Sequence, residues 1–385
     1  MTAGQLERAI GVPGAVLMGL GSILGTGIFV SVGIAAGIAG PAVLLAIPIA
    51  AVVAICNGLS SAQLAASHPV SGGTYEYGYR YLGRPAGLVA GWTFLIAKSA
   101  SAATAALGFA SYLFDGRFAR LGVALGMVAA TTFLVSRGIS RTARANAIVV
   151  AVTLAGLATF VISNLTAVDT ANFAFELDPT STLHASALLF VAFAGYGRIA
   201  TLGEEVRDPQ RTIPRAVILA LIITLAIYIV VVCVGIGAVG APAFAATATP
   251  LETASSNGAV RWIIALAATT AMEGVLLNLV LGLSRVVLAM GRRGDLPRGL
   301  ATIDDRKSPR NAVIVVGIAI GLLVLIGDVK LTWSVSAFSV LLYYAITNAA
   351  ALRLPPEHRK YPRAIAAFGL VACIALAAFV VYALA

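Results

Sequence analysis

The chain has 385 residues, 59% hydrophobic and only 11% charged, with a mean hydropathy of +0.96. A water-soluble domain carries about 25% charged residues, so this composition excludes one and makes the bilayer the reference solvent. The formal charge of +10 admits two explanations, a nucleic-acid partner or membrane topology, and the positions of the basic residues choose between them.

Apolar runs predict eleven spans, at 12–36, 41–64, 85–111, 121–136, 146–164, 185–205, 213–239, 260–288, 311–327, 331–352 and 364–384. Each is close to the ~20 residues that a crossing requires. The expected fold is all-α and polytopic, a single transmembrane domain over 1–385. MTAGQLERAI lacks a basic n-region, so the first helix is expected to stay in the mature protein.

Span 1 contains GLGSILGTGIFV, residues 19–30. Glycine costs a helix about 1 kcal/mol relative to alanine, yet Gly21, Gly25 and Gly27 sit at membrane depth with Ser22 and Thr26 between them. Span 6 is interrupted by Ala194-Gly195-Tyr196-Gly197. Small residues also serve close helix packing. What favours broken helices is their equivalent placement. Five spans separate the two starts, an odd number, so the two helices enter from opposite sides, as in an inverted repeat. One repeat covers about 12–164, the other about 185–352, and a helix at about 364–384 is appended. Irregular backbone at membrane depth needs protein or a wet cavity around it. Half-helices meeting there offer free N–H groups at one end and free carbonyls at the other, a complement to a zwitterion.

Ionisable residues inside spans are costly and need a reason. Lys98 lies 14 residues past Arg84, about 21 Å along a helix, and Glu273 lies 12 residues before Arg285, about 18 Å. Similar depth makes them either a static ion pair or a pair that exchanges protons during a cycle. Arg198 follows the span 6 break and can read a carboxylate, pair with Glu273, or reach Glu204 and Glu205. Those two acids, with Arg80, are expected to form a cytoplasmic gate; a solvated helix end is the alternative.

Alternate loops containing Arg8, Arg80 and Arg84, Arg137 to Arg144, Arg207 to Arg215, Arg285 to Arg310, and Arg353 to Arg363 hold most of the 26 basic residues. The opposite loops hold Arg117, Arg120, Arg261 and Lys330. This is the positive-inside bias. It assigns the charge to topology, places the N-terminus in the cytoplasm of a plasma-membrane protein, and argues against nucleic acid. Cys56, Cys233 and Cys373 lie far apart in apolar spans, and His68, His184 and His358 form no cluster. Neither metal nor cofactor is expected.

The first-helix stretch Gly21 to Phe29 resembles that of the amino acid–polyamine–organocation permeases. So do Phe193-Ala194-Gly195-Tyr196, Gly203-Glu204-Glu205-Val206-Arg207-Asp208-Pro209, HPVSGGTYEYGYRYLGRPAGLVAGW, and NLVLGLSRVVLAMGRRGDLP. The likeness runs in order from about residue 8 to 312. It implies a leucine-transporter-like fold and a secondary active transporter working by alternating access. Half-helix polarity and the resemblance together assign the carboxylate of an amino acid to Gly25, Thr26 and Gly27, beside Ile23. They assign its amine to carbonyls around Val191, Ala192 and Ala194, beside Phe193 and Gly195. The resemblance also implies that spans 3 and 8 line the central cavity. Relatives in that family use a lysine in the fifth helix, which this span 5 lacks.

The mixed lining of small residues with one base and one acid favours a neutral amino acid, with protons as the coupling ion. A cationic amino acid, an amine or a polyamine is the alternative substrate, by transport or exchange. A non-transporting receptor on the same scaffold is the alternative from another class. An enzyme is not expected, because no nucleophile, base and orienter converge at one depth. A channel would want rings of like charge.

Overall fold

A computed structural model describes residues 10–68, 72–138, 143–174, 176–200, 206–255, 257–304 and 308–383. All named elements among them are helical, apart from a single bridge between Ile10 and Val206. Span 1 comprises α1 (Val12–Ile23), a π-helical turn (Gly27–Ser31) and α2 (Val32–Ala39). Span 2 is α3 (Val43–Ser67). The connection that follows contains α4 (Thr74–Leu82), a helix lying between the apolar runs of spans 2 and 3. Spans 3, 4 and 5 are α5 (Arg84–Ser111), α6 (Arg117–Ser136) and α7 (Ala143–Asn164). Span 6 comprises α8 (Pro179–Phe193), a 3-10 turn (Ala194–Tyr196) and α9 (Gly197–Ala200). Span 7 is α10 (Pro209–Ala245), broken at Gly240, and the short α11 (Pro250–Thr253) follows it. Spans 8 to 11 are α12 (Gly258–Arg293), α13 (Arg310–Ile326), α14 (Val329–Leu352) and α15 (Arg363–Tyr382).

Local chemistry sets the ends. Proline occupies the first turn of α1, α5, α8, α10 and α11, where its missing N–H costs nothing. Asp178, Asn257 and Asp328 cap α8, α12 and α14 by accepting backbone N–H bonds. Gly294 and Gly327, both left-handed, end α12 and α13. Outside the irregular stretch of span 1, helical bonding satisfies the backbone within each element, the condition that membranes impose.

Exposed Trp262, Ile162, Val371 and Leu266 face outward, as a lipid-facing surface does. Burial separates centre from rim: 78% of the apolar window of span 6 is enclosed, against 28% for span 4. The packing has an internal pattern. Span 1 rests on span 7 and span 6 on span 2; span 3 rests on span 10 and span 8 on span 5. Span 4 packs on span 8 and span 9 on span 3; span 5 packs on span 1 and span 10 on span 6. Exchanging spans 1–5 with spans 6–10 turns each of these contacts into its companion.

Candidate functional site

The two interruptions meet. A Cβ added at Gly195 would stand 2.4 Å from the Ser22 carbonyl oxygen, and one at Gly27 would stand 2.8 Å from the Ala192 Cβ and 2.3 Å from the Tyr228 hydroxyl. The packing role of these glycines is therefore real and coexists with the breaks.

Span 1 leaves helical geometry at Leu24, whose ψ of 96 is extended. Helical bonding resumes with Ile28 and Phe29, whose N–H groups both donate to Gly25 O. Among the described residues, the N–H of Gly25, which lies between the two helical stretches, has no acceptor, and the buried Thr26 hydroxyl is without a partner. The break thus lies at Leu24 and Gly25, one to two residues earlier than expected. Span 6 is milder. It tightens into a 3-10 turn at Ala194–Tyr196 and continues as α9 without leaving helical angles.

Both stretches line one cavity of about 250 Å³. Of the residues singled out from the sequence, Ile23, Thr26, Gly27, Val191, Ala192, Ala194 and Gly195 line it, together with Lys98 and Arg198. Gly25 and Phe193 do not: Gly25 packs toward Val275, and Phe193 is fully buried against Tyr228. The cavity reaches the end of the bundle that carries α4, where Gly73, Thr74, Tyr77 and Ala289 line it.

The other end is tied shut. Ser101 and Ser336 hydroxyls lie 2.7 Å apart, and the Thr104 hydroxyl donates to Thr332 at 2.8 Å. Trp333 Nε1 donates to Leu188 O at 2.9 Å, and the Tyr112 hydroxyl donates to Phe29 O at 2.8 Å. A separate, shallower pocket lined by Gly33, Gly37, Ala248 and Lys330 lies beyond these bonds.

The structure corrects the expected pairing of Lys98 with Glu273. Among the described residues the ion pairs are Arg84–Asp295, Arg211–Asp208 and Arg293–Glu76. Glu273 instead accepts a bond from the Thr131 hydroxyl of span 4 at 3.0 Å, outside the cavity that Lys98 lines. The reason is rotational. Val275, Asn278, Leu279 and Gly282 present span 8 to the cavity, and Glu273 lies two residues off that stripe, about 200° around the helix. Arg80 contacts the His68 ring at 2.9 Å; Glu204 and Glu205, its proposed gate partners, lie outside the described residues.

Sequence reasoning missed Phe94, Asn278, Trp333, Tyr343 and Tyr344, all of which line the cavity. The adjacent tyrosines within apolar span 10 were the available signal, since a buried phenol needs a partner. Tyr344 donates to Ala194 O at 3.4 Å, and Tyr343 accepts from Thr74 N at 3.2 Å. Span 10 thereby joins the span 6 break to α4.

A family model described as "Amino acid permease" matches residues 14–385. An uncharacterised transporter of Mycobacterium tuberculosis is 44% identical over 381 residues, covering 97% of this chain and 86% of the relative. The branched-chain amino acid permease BcaP of Bacillus subtilis is 26% identical over 339 residues, covering 80% and 73%. The vacuolar cationic amino acid transporter 2 of Arabidopsis thaliana is 27% identical over 399 residues, covering 94% and 62%. With its broken first helix, its cavity at the crossing of spans 1 and 6, and a match along nearly its whole length, the chain belongs to the amino acid permease family, a family of integral membrane transporters.

Proposed function

We propose that the protein moves a neutral amino acid across the plasma membrane by alternating access, coupled to protons. The observation that carries this reading is the break in span 1 at Leu24, after which helix restarts at Thr26 and Gly27, both of which line a cavity of about 250 Å³. They supply a positive helix end for a carboxylate. The amine faces the carbonyls of the span 6 turn around Val191, Ala192 and Ala194. Spans 1–5 and 6–10 act as the two repeats, the Arg-rich face is cytoplasmic, and the cavity opens toward it. Rocking one set against the other would close that mouth and open the far one.

The described lining contains Lys98, Arg198 and Arg285 and neither aspartate nor glutamate. A cationic side chain would meet like charge there, which weighs against the cationic alternative. Lys98 is the coupling group within this reading, and Glu273 is a second intramembrane acid on the other side of span 8.

Sealed proteoliposomes test it. Labelled neutral amino acids should accumulate when the lumen is made alkaline, and accumulation should collapse with a protonophore. Exchange without net accumulation under any pH gradient would remove the proton coupling. Binding without any transmembrane movement would replace the transporter with a sensor.

A further inference from the structure

Besides Thr26, further polar side chains facing the cavity are without partners among the described residues. Lys98 of span 3 and Asn278 of span 8 both line it, and among the described residues neither makes a hydrogen bond or an ion pair. Their helices pack against each other. Phe94, one turn from Lys98, and Leu279 supply apolar walls. At Gly282, one turn beyond Asn278, an added Cβ would meet nothing within 4 Å, so the space beside these groups is open. The neighbouring Ser101 hydroxyl is already engaged with Ser336.

Water can hydrate an ammonium and an amide in an open cavity. A substrate that displaces that water must replace its bonds, because a buried polar group left unpaired carries its full desolvation cost. A hydrocarbon side chain replaces none of them, and a cationic one adds repulsion. Lys98 can only donate, whereas Asn278 can donate and accept. The complement is a side chain ending in an acceptor oxygen. A carboxamide serves best, since its oxygen takes the ammonium while its NH₂ and oxygen answer the Asn278 amide.

Building on the amino acid transport reading, we propose that Lys98 and Asn278 form the side-chain subsite and select amino acids with a terminal carboxamide or carboxylate, glutamine and asparagine foremost. This differs from the substrates named for the branched-chain and cationic relatives.

The test is counterflow in proteoliposomes with labelled glutamine, glutamate, leucine and arginine, on the full chain and on Lys98→Met and Asn278→Ala. In the unaltered protein, glutamine should half-saturate at least about tenfold below leucine and arginine, the worth of one charge-assisted hydrogen bond. Glutamate distinguishes a preference for charge from one for the oxygen alone. Lys98→Met should raise the glutamine and glutamate values by about tenfold relative to that of leucine. Asn278→Ala should penalise glutamine more than glutamate, and it keeps the proposal testable if Lys98→Met does not fold. Preference of the unaltered protein for leucine or arginine would overturn the subsite and leave the transporter reading intact. So would unchanged selectivity in both variants. Failure of all four labels to exchange in a folded protein would overturn the transporter reading itself.

Discussion

At the scale of single residues, the crossing of spans 1 and 6 tolerates no side chain at Gly195. An alanine methyl there would lie 2.4 Å from the Ser22 carbonyl oxygen, and backbone cannot step aside as a flexible side chain does. Gly195→Ala should destabilise by about 1–3 kcal/mol through overpacking and reduce transport. Gly126, where an added Cβ meets nothing within 4 Å, is the control; Gly126→Ala should be neutral or stabilising by up to about 1 kcal/mol. Thermal unfolding in detergent with parallel uptake reads both. The separated charges make a second claim. If Lys98 and Glu273 do not touch, the effects of Lys98→Met and Glu273→Gln on stability should add within about 0.5 kcal/mol. A coupling energy well above that in the double mutant would show that the two pair in a dominant state.

At the scale of elements, α4 carries a polar cluster that fastens it to the end of span 8. Asp295, whose side chain is 2% exposed, accepts from the Tyr75 hydroxyl at 2.6 Å and from the Tyr79 hydroxyl, with Arg84 3.9 Å away. Arg293 pairs with Glu76 and lies 4.1 Å from the centre of the Tyr79 ring. Burial alone would push the Asp295 carboxyl up, but the two tyrosine bonds and the two arginines outweigh it and hold the group below its ordinary value of 3.8. A depressed carboxylate stabilises the folded state above its unfolded pKa and loses that contribution as pH falls through the folded one. Asp295→Asn should therefore be less stable than the parent at pH 7, and the gap should narrow only below about pH 4. A gap that closed already at pH 6 would contradict the assignment. The first residue of α4, Thr74, bonds the same end of the helix to span 10, its hydroxyl lying 2.7 Å from that of Thr347. Loosening the cluster should also alter access to the cavity mouth that Thr74 and Tyr77 line. None of this was visible in YEYGYRYLGRP beyond its family likeness, because its partners, Asp295 and Arg293, come from more than 200 residues away.

At the scale of the whole molecule, the exchange of contacts between spans 1–5 and 6–10 has an informative exception. Span 1 packs on span 8, with Gly25 against Val275, whereas among the described residues spans 6 and 3 make no comparable contact. The gap between spans 6 and 3 is the cavity, lined by Ala192, Ala194 and Lys98. Breaking the symmetry on one side is how a repeat-built carrier holds one mouth open. Single cysteines test this, in a background with Cys56, Cys233 and Cys373 replaced. Ala289→Cys should react with a membrane-impermeant thiol reagent from the Arg-rich face alone and be protected by substrate. Ala248→Cys, in the pocket beyond the closed end, should react from the opposite face alone. Labelling of both from one side would refute the topology.

The sequence by itself determined the solvent, the spans and the two interruptions, because hydropathy and glycine placement act along a few turns of one helix. GTG in span 1 and AGYG in span 6 were legible for that reason. Only the tertiary structure decided which face each span presents. Depth along a helix follows from counting residues, but rotation about its axis is set by packing against neighbours. Counting put Lys98 and Glu273 at one level; rotation sent Lys98 into the cavity and Glu273 to Thr131. The same rotation brought Asn278 to the lining, where its position in the apolar sequence of span 8 had given no sign of it.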